Sequence, residues 1–236
     1  MPKFFERPKL KIIIVSVTCF IFLLVALIAI ACANAIPSKD AQDISATTPK
    51  TTEPPVPVAK EPTIYDYLTF EKNETGYTLT YVNGYPEPHL LIPAETEDGG
   101  KITAIGELAF SKSPTLLEVT IPATVKKIEY GCFVGAQSLV AVNVEPANPN
   151  YSSVGGVLFS KNKTELICYP AAKVGNSYLL STNVKKISPY AFHGIKNLKS
   201  ILYEGSTSKY QSIEIGSGNH DFIALPVTCN YVAGKR

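Results

Sequence analysis

The chain has 236 residues, a formal charge of +2 at pH 7, 18% charged side chains and 45% hydrophobic ones. This composition excludes a disordered polyelectrolyte, and a charge so close to zero gives no strong field for nucleic acid or for acidic partners. The length suits one domain with attached segments.

The attached segments come first. Residues 1–11 carry Lys3, Arg7, Lys9 and Lys11 against a single Glu6, and read as a basic cytoplasmic segment. Residues 12–32 follow. Their run from Ile12 to Ala31 has no charge and is about as long as a helix needs to cross the hydrocarbon core. This predicts one N-terminal apolar helix, with the basic flank held inside and the rest of the chain sent out. The run exceeds the usual apolar core of a cleaved signal, which favours a single-pass anchor. Two other readings stay open. Ala33-Asn34-Ala35 fits a signal-cleavage site, giving a secreted chain, and Cys32 after Ala29-Ile30-Ala31 resembles a lipid-attachment box with Ala29 where Leu is usual. All three readings place the remaining chain outside the cytoplasm.

Residues 33–62 are rich in Pro and Thr, as in Thr47-Thr48-Pro49-Lys50-Thr51-Thr52-Glu53-Pro54-Pro55. Such a stretch cannot offset its ordering entropy by burial and reads as a disordered spacer. Residues 63–236 are the folded domain, and within it one phrase recurs. Ile105 to Ile128, Phe110 to Phe133, Leu116 to Leu139, Val119 to Val142 and Ile121 to Val144 all hold the same register. A third unit, with Ile187, Ala191, Phe192, Leu198, Ile201 and Tyr203, follows after an insertion. Val119-Thr120-Ile121 alternates as a half-buried strand does, and Pro122 ends its pairing. A unit this short cannot bury its own apolar face, whereas stacked units can, so the period predicts a solenoid. Phe then fills the core of each coil, in one common environment. The small residue before it (Ala109, Cys132, Ala191) lets neighbouring coils approach.

The pattern resembles the BspA-like leucine-rich repeats of bacterial and some protozoan surface proteins. The likeness rests on Ile105 to Pro122 as one unit, on Asn148-Pro149-Asn150-Tyr151-Ser152-Ser153 before Gly155-Gly156-Val157-Leu158-Phe159, and on Glu165-Leu166-Ile167-Cys168-Tyr169-Pro170-Ala171. Tyr203-Glu204-Gly205 through Ile215-Gly216-Ser217-Gly218-Asn219 looks like the family's C-terminal cap, with Tyr210 standing where Trp is expected. The resemblance implies a leucine-rich-repeat solenoid, β-rich, with short helices or turns on the convex side and a β-hairpin insertion. It also implies a surface protein of the adhesion class.

Signs of catalysis are few. His89, His193 and His220 show no metal-ligand spacing, and there is no Cys-x2-Cys, phosphate loop, dinucleotide fingerprint or nucleophile elbow. The sequence therefore points to no enzyme, no metal and no cofactor. Glu165, in the insertion, has no His or Asp partner at recognisable spacing. Cys132 reads as a buried free thiol, and the pairing of Cys132, Cys168 and Cys229 is left open.

Binding is the better expectation. Aligning the strands places Leu91, Thr120, Asn143, Leu179 and Leu202 between inward residues, with His89, Glu118, Ala141, Ser177 and Ser200 in a second outward row. Leu91, Glu118, Thr120, Asn143, Leu179 and Leu202 are the expected partner-binding residues. The partner would be a protein or another ligand of the cell envelope or host surface, with membrane contact through residues 12–32 and no nucleic acid. A membrane-tethered adhesion-type module is the leading reading, against an envelope enzyme or a passive spacer. The hairpin insertion is one structure that could cover Leu179.

Overall fold

The structure is a computed structural model and describes residues 61–234. The basic segment, the apolar run and residues 33–60 of the spacer lie outside the described residues. Among the described residues no helix is long and apolar enough to cross a membrane.

The domain opens with a 3-10 turn, Ile64–Tyr67, and an antiparallel hairpin of β1 (Leu68–Asn73) and β2 (Gly76–Val82). Next come β3 (His89–Leu91), β4 (Ile102–Ile105), β5 (Glu118–Ile121), β6 (Lys127–Ile128) and β7 (Ala141–Val144). Two further strands, β8 (Tyr151–Val154) and β9 (Val157–Ser160), precede β10 (Glu165–Cys168). The chain then runs through β11 (Ser177–Leu180), β12 (Lys186–Ile187) and β13 (Ser200–Tyr203). It closes with the short helix α1 (Thr207–Gln211), β14 (Glu214–Ile215), the short helix α2 (His220–Ile223) and β15 (Val227–Thr228).

These strands form two ladders along a solenoid. The wide ladder consists of two separate parallel sheets, β3-β5-β7 and β11-β13-β15. The narrow ladder holds β1-β2-β4-β6 and β14-β12-β10-β9-β8. Register follows the sequence period: Leu90, Val119 and Val142 lie opposite one another, as do Ile105 and Ile128 in the narrow ladder. Alternation then decides the faces. Val119, Ile121, Val142 and Ile201 are fully buried, whereas Thr120, Asn143 and Leu202 between or beside them are half-exposed.

After each narrow strand the chain returns by turns. The third residue after the ladder isoleucine has positive φ in four coils: Leu108 (57°), Gly131 (76°), Tyr190 (61°) and Gly218 (75°). This left-handed step turns the chain so that the next small residue and aromatic point inward. Ala109, Cys132 and Ala191 are buried, and neighbouring coils touch there. The Phe110 amide donates to the Cys132 carbonyl at 2.9 Å, and the Tyr169 amide donates to the Ala191 carbonyl at 2.7 Å. Two buried asparagines replace such backbone bonds at irregular coils. Asn148 donates to Pro122 and Val125 carbonyls and accepts from Asn150 and Tyr151 amides, all at 2.9 Å. Asn219 accepts from the Phe192 amide at 2.9 Å and donates to the Ser188 carbonyl at 3.0 Å.

The expectation of one common environment for the three phenylalanines is corrected. Phe110 and Phe192 are fully buried, but Phe133 is only half-buried. Aromatic stacking runs from Phe110 to Phe133 (4.9 Å between ring centres), and separately from Tyr169 to Phe192 (5.0 Å) and Phe192 to Phe222 (4.3 Å). The column breaks between Phe133 and Tyr169, because the coil after Phe133 carries the insertion. A crevice of about 20 Å³ remains there, lined by Cys132, Phe133, Ile167 and Tyr169 among others. That is room for about one water.

The hairpin is not a flap over the wide ladder. Val157, Leu158 and Phe159 of β9 are all buried. Leu158 and Cys168 belong to the core around Ile105, Phe110 and Val119, whereas Val157, Phe159 and Leu166 belong to the core around Ile187, Phe192 and Ile201. β9 is thus apolar on both faces and partitions the interior. The buried thiols of Cys132 and Cys168 are free, and burial pushes the Cys168 pKa up to about 12. Cys229, half-exposed beyond β15, is free as well.

Truncating the aromatics should separate the two environments. Phe110→Ala and Phe192→Ala are each expected to cost about 3–5 kcal/mol, and Phe133→Ala about half as much, in urea unfolding. Equal losses at all three positions would contradict the broken column.

Candidate functional site

The outward side of the wide ladder carries the expected partner-binding residues. Leu91 is 59% exposed and Leu179 42%, so neither is covered by the hairpin. Cross-strand pairs set their neighbours: Leu91 opposes Thr120, which opposes Asn143, and Leu179 opposes Leu202. Beside the first three lies a polar contact set. The Glu118 carboxylate meets His89 Nδ1 at 3.5 Å and accepts from Asn143 Nδ2 at 3.4 Å. His89, Glu118 and Asn143 come from three successive coils and are partly to fully exposed, so their contacts stay solvent-screened.

The six residues do not form one continuous face. Leu91, Glu118, Thr120 and Asn143 lie on the sheet β3-β5-β7, and Leu179 and Leu202 on β11-β13-β15. The edge of β7 is closed by the hairpin: the Val142 amide donates to the Gly156 carbonyl at 2.8 Å, and the Val144 amide to Ser153 Oγ at 3.1 Å. Gly156 permits this approach. Its φ is +79°, and a Cβ there would lie 2.8 Å from the Ala141 Cβ.

A second polar cluster lies on the narrow ladder, where strand pairing sets Glu165 opposite Lys186. The Lys186 ammonium meets Glu165 Oε1 at 3.0 Å and donates to the Tyr130 hydroxyl at 3.2 Å. The buried Ser188 hydroxyl donates to the same Glu165 oxygen at 2.8 Å. Sequence spacing did not reveal these partners, because Tyr130 and Lys186 lie on opposite sides of the insertion. The Tyr130 hydroxyl and the Glu165 carboxylate together raise the Lys186 pKa above its ordinary value. A lysine held protonated is the opposite of a general base, which needs a lowered pKa. Ser188 likewise gives its proton to a carboxylate fixed by an ammonium. The arrangement clamps the coils on either side of the insertion. Among the described residues no three His, Cys, Asp or Glu side chains converge as a metal site. His193 packs edge-on against Tyr190 at 6.1 Å between ring centres.

The clamp has a defined pH signature. A lysine whose pKa is raised on folding stabilises the fold fully below its unfolded value, near 10.5, and loses that contribution as pH rises through the higher folded value. Lys186→Met should lower the melting temperature equally at pH 7 and pH 9, and the gap should close only above about pH 10.5. A gap that fades between pH 6 and pH 9 would show that another group carries the effect.

Comparison with known proteins finds the same repeat. Residues 103–213 match the family model of the BspA type leucine rich repeat region in six copies. A leucine-rich repeat protein from Eubacterium ventriosum is 34% identical over 54% of this chain and 31% of its own, with a TM-score of 0.46. The chain therefore spans under a third of that protein's length. The pneumococcal vaccine antigen PcpA is 18% identical over 69% of this chain and 70% of its own, with a TM-score of 0.45. A leucine-rich cell surface protein from Faecalibacterium prausnitzii is 14% identical over 74% of this chain and 78% of its own, with a TM-score of 0.36. No curated protein matches the chain significantly. Residues 103–213 thus carry six copies of the BspA-type leucine-rich repeat, and the solenoid is built from them.

Proposed function

We propose that the domain is a surface-displayed protein-binding module of the adhesion type, held at the outer face of the membrane by residues 12–32 and carried clear of it by the Pro/Thr-rich spacer. The observation that supports this most is the uncovered leucine pair, Leu91 and Leu179, on the outward sides of the two wide sheets. Exposed apolar side chains on a rigid sheet favour contact with a partner, and the backbone beneath is fixed by the ladder. His89, Glu118 and Asn143 supply a polar border to the first sheet. The two sheets offer a divided contact surface, with an apolar centre at Leu179 and Leu202 and a mixed one around Leu91 and Thr120. The chemistry around Glu165 favours a structural role, which argues for a non-enzymatic protein.

The full-length chain should bind a member of a panel of purified extracellular-matrix proteins and envelope polymers. Leu179→Ser with Leu202→Ser should weaken that binding at least about tenfold and change stability by less than about 1 kcal/mol, as expected for side chains outside the core. Unfolding by the pair, or unchanged binding, would remove this face from the account. Protease on intact cells should release the domain while residues 1–32 stay in the membrane fraction. A chain found only in the medium, beginning near Ile36, would replace the anchor with cleavage.

A further inference from the structure

Charge is unevenly distributed along the domain. Residues 61–118 hold ten acids and three lysines, whereas residues 119–234 hold six acids and ten lysines. Many of these lysines sit at the turn that leads into the narrow ladder. In Val125-Lys126-Lys127-Ile128 and Val184-Lys185-Lys186-Ile187 the Val and Ile are buried, so both lysines of each pair are pushed outward. The second lysine is neutralised in each case: Lys127 meets Glu129 at 2.5 Å, and Lys186 meets Glu165 at 3.0 Å. The first is left over. Lys126 and Lys185 are exposed, and among the described residues neither ammonium meets a carboxylate. Lys163, in the turn between β9 and β10, and Lys209, on α1, are exposed and unpaired in the same way.

Backbone contacts place these positions along one flank. The Lys126 carbonyl accepts from Asn150 Nδ2 at 2.7 Å, and the Asn150 carbonyl accepts from the Lys161 amide at 2.7 Å. The Thr164 carbonyl accepts from the Lys185 amide at 2.8 Å, and the Lys185 carbonyl from the Glu214 amide at 2.9 Å. Two shallow grooves run here and meet at Asn162. One is lined by Asn150 and Lys161, the other by Thr164, Asn183, Lys185 and Lys209. Their walls offer ammonium, amide and hydroxyl groups, and no exposed large apolar side chain.

We propose that this flank binds a linear anionic polysaccharide. Lys126, Lys163, Lys185 and Lys209 meet its sulfate, phosphate or carboxylate groups, and Asn150, Asn183 and Thr164 meet its hydroxyls. Charge complementarity selects the partner. The flank gathers four lysines without a carboxylate partner on a domain whose first half is acidic, so charge favours an anion along this stripe. Lysine ammoniums on flexible stems follow a flexible polymer whose anionic groups vary in spacing, where an arginine fork would demand a fixed geometry. Single-stranded nucleic acid fits less well, because it is held by aromatic stacking. Tyr151, the tyrosine that lines these grooves, is half-buried, with its hydroxyl holding the Ile128 amide at 2.9 Å. An anionic membrane fits less well too, since no apolar side chain here is placed to insert.

The test uses the full-length chain and immobilised heparin as the sulfated probe. Replacing Lys126, Lys163, Lys185 and Lys209 by Gln should lower affinity at least about tenfold at physiological salt and flatten its salt dependence, as fewer counterions are released. Replacing Lys112, Lys196 and Lys199, which lie elsewhere, should change it less than about twofold, as should Leu179→Ser with Leu202→Ser. Melting curves report whether the quadruple variant keeps its fold. Lys185→Gln alone, expected to cost about threefold, carries the test if it does not. Equal losses from both lysine sets would overturn the proposal. So would equally effective competition by a DNA oligomer of matched charge, or binding to anionic vesicles without binding to heparin.

Discussion

Ile105 and Ile128 stand opposite each other in the narrow ladder, as do Leu166 and Ile187, and every other feature of the domain is arranged around keeping such pairs in line. A single coil exposes its isoleucine, its aromatic and its strand valines. Only the next coil can cover them. The backbone enforces the spacing at two steps, where the amide of the aromatic position reaches the carbonyl of the small residue one coil on, from Phe110 to Cys132 and from Tyr169 to Ala191, and at Phe192 the Asn219 side chain takes that place. A larger residue at Ala109 or Ala191 would hold the coils apart and break this bond. The left-handed step at Leu108, Gly131, Tyr190 and Gly218 is the local cost of turning the chain within so few residues.

The hairpin solves a topological problem and creates another. β9 adds a strand that is buried on both faces, so the cores on either side share one wall. It adds strands to the narrow ladder only. The wide ladder is interrupted, and β7 closes its edge on Gly156 and Ser153 instead of on β11. Narrow-ladder continuity is kept by side chains: the Tyr151 hydroxyl meets the Ile128 amide, and Lys186 reaches back to Tyr130. These contacts explain why two polar tyrosines and an ion pair stand where a regular repeat would have backbone bonds. They also divide the surface into the two wide sheets of the proposed binding face and the lysine flank at the turns.

Much of this was legible from spacing. The 23-residue register located the strands, the buried Ile, Leu and Val positions and the small residue before each aromatic, because burial on a stacked coil is strictly periodic. The outward phase of Leu91, Thr120, Asn143, Leu179 and Leu202 was legible for the same reason. What escaped lies where the period fails. Tyr169 takes the aromatic column three residues after Leu166, whereas Phe110 comes five after Ile105, so alignment by register passes over it. Phe133 fits the pattern and still lies half-exposed, since its burial depends on the next coil and not on its own. Asn148 and Asn219 act as buried caps, and the sequence signal for the first, Asn-Pro-Asn at the start of the insertion, was read as a family mark without its physical role. The β1-β2 hairpin has no repeat period, so spacing could not locate it.

By facing both ways, β9 joins two cores into one cooperative unit. Native-state hydrogen exchange measured through increasing denaturant tests it most directly, by comparing amides of β5 with amides of β13 on either side of the hairpin. In one cooperative unit, the most protected amides of Glu118–Ile121 and of Ser200–Tyr203 converge on the same opening free energy and the same denaturant dependence. Two separate plateaus, with one half opening while the other stays closed, would contradict it.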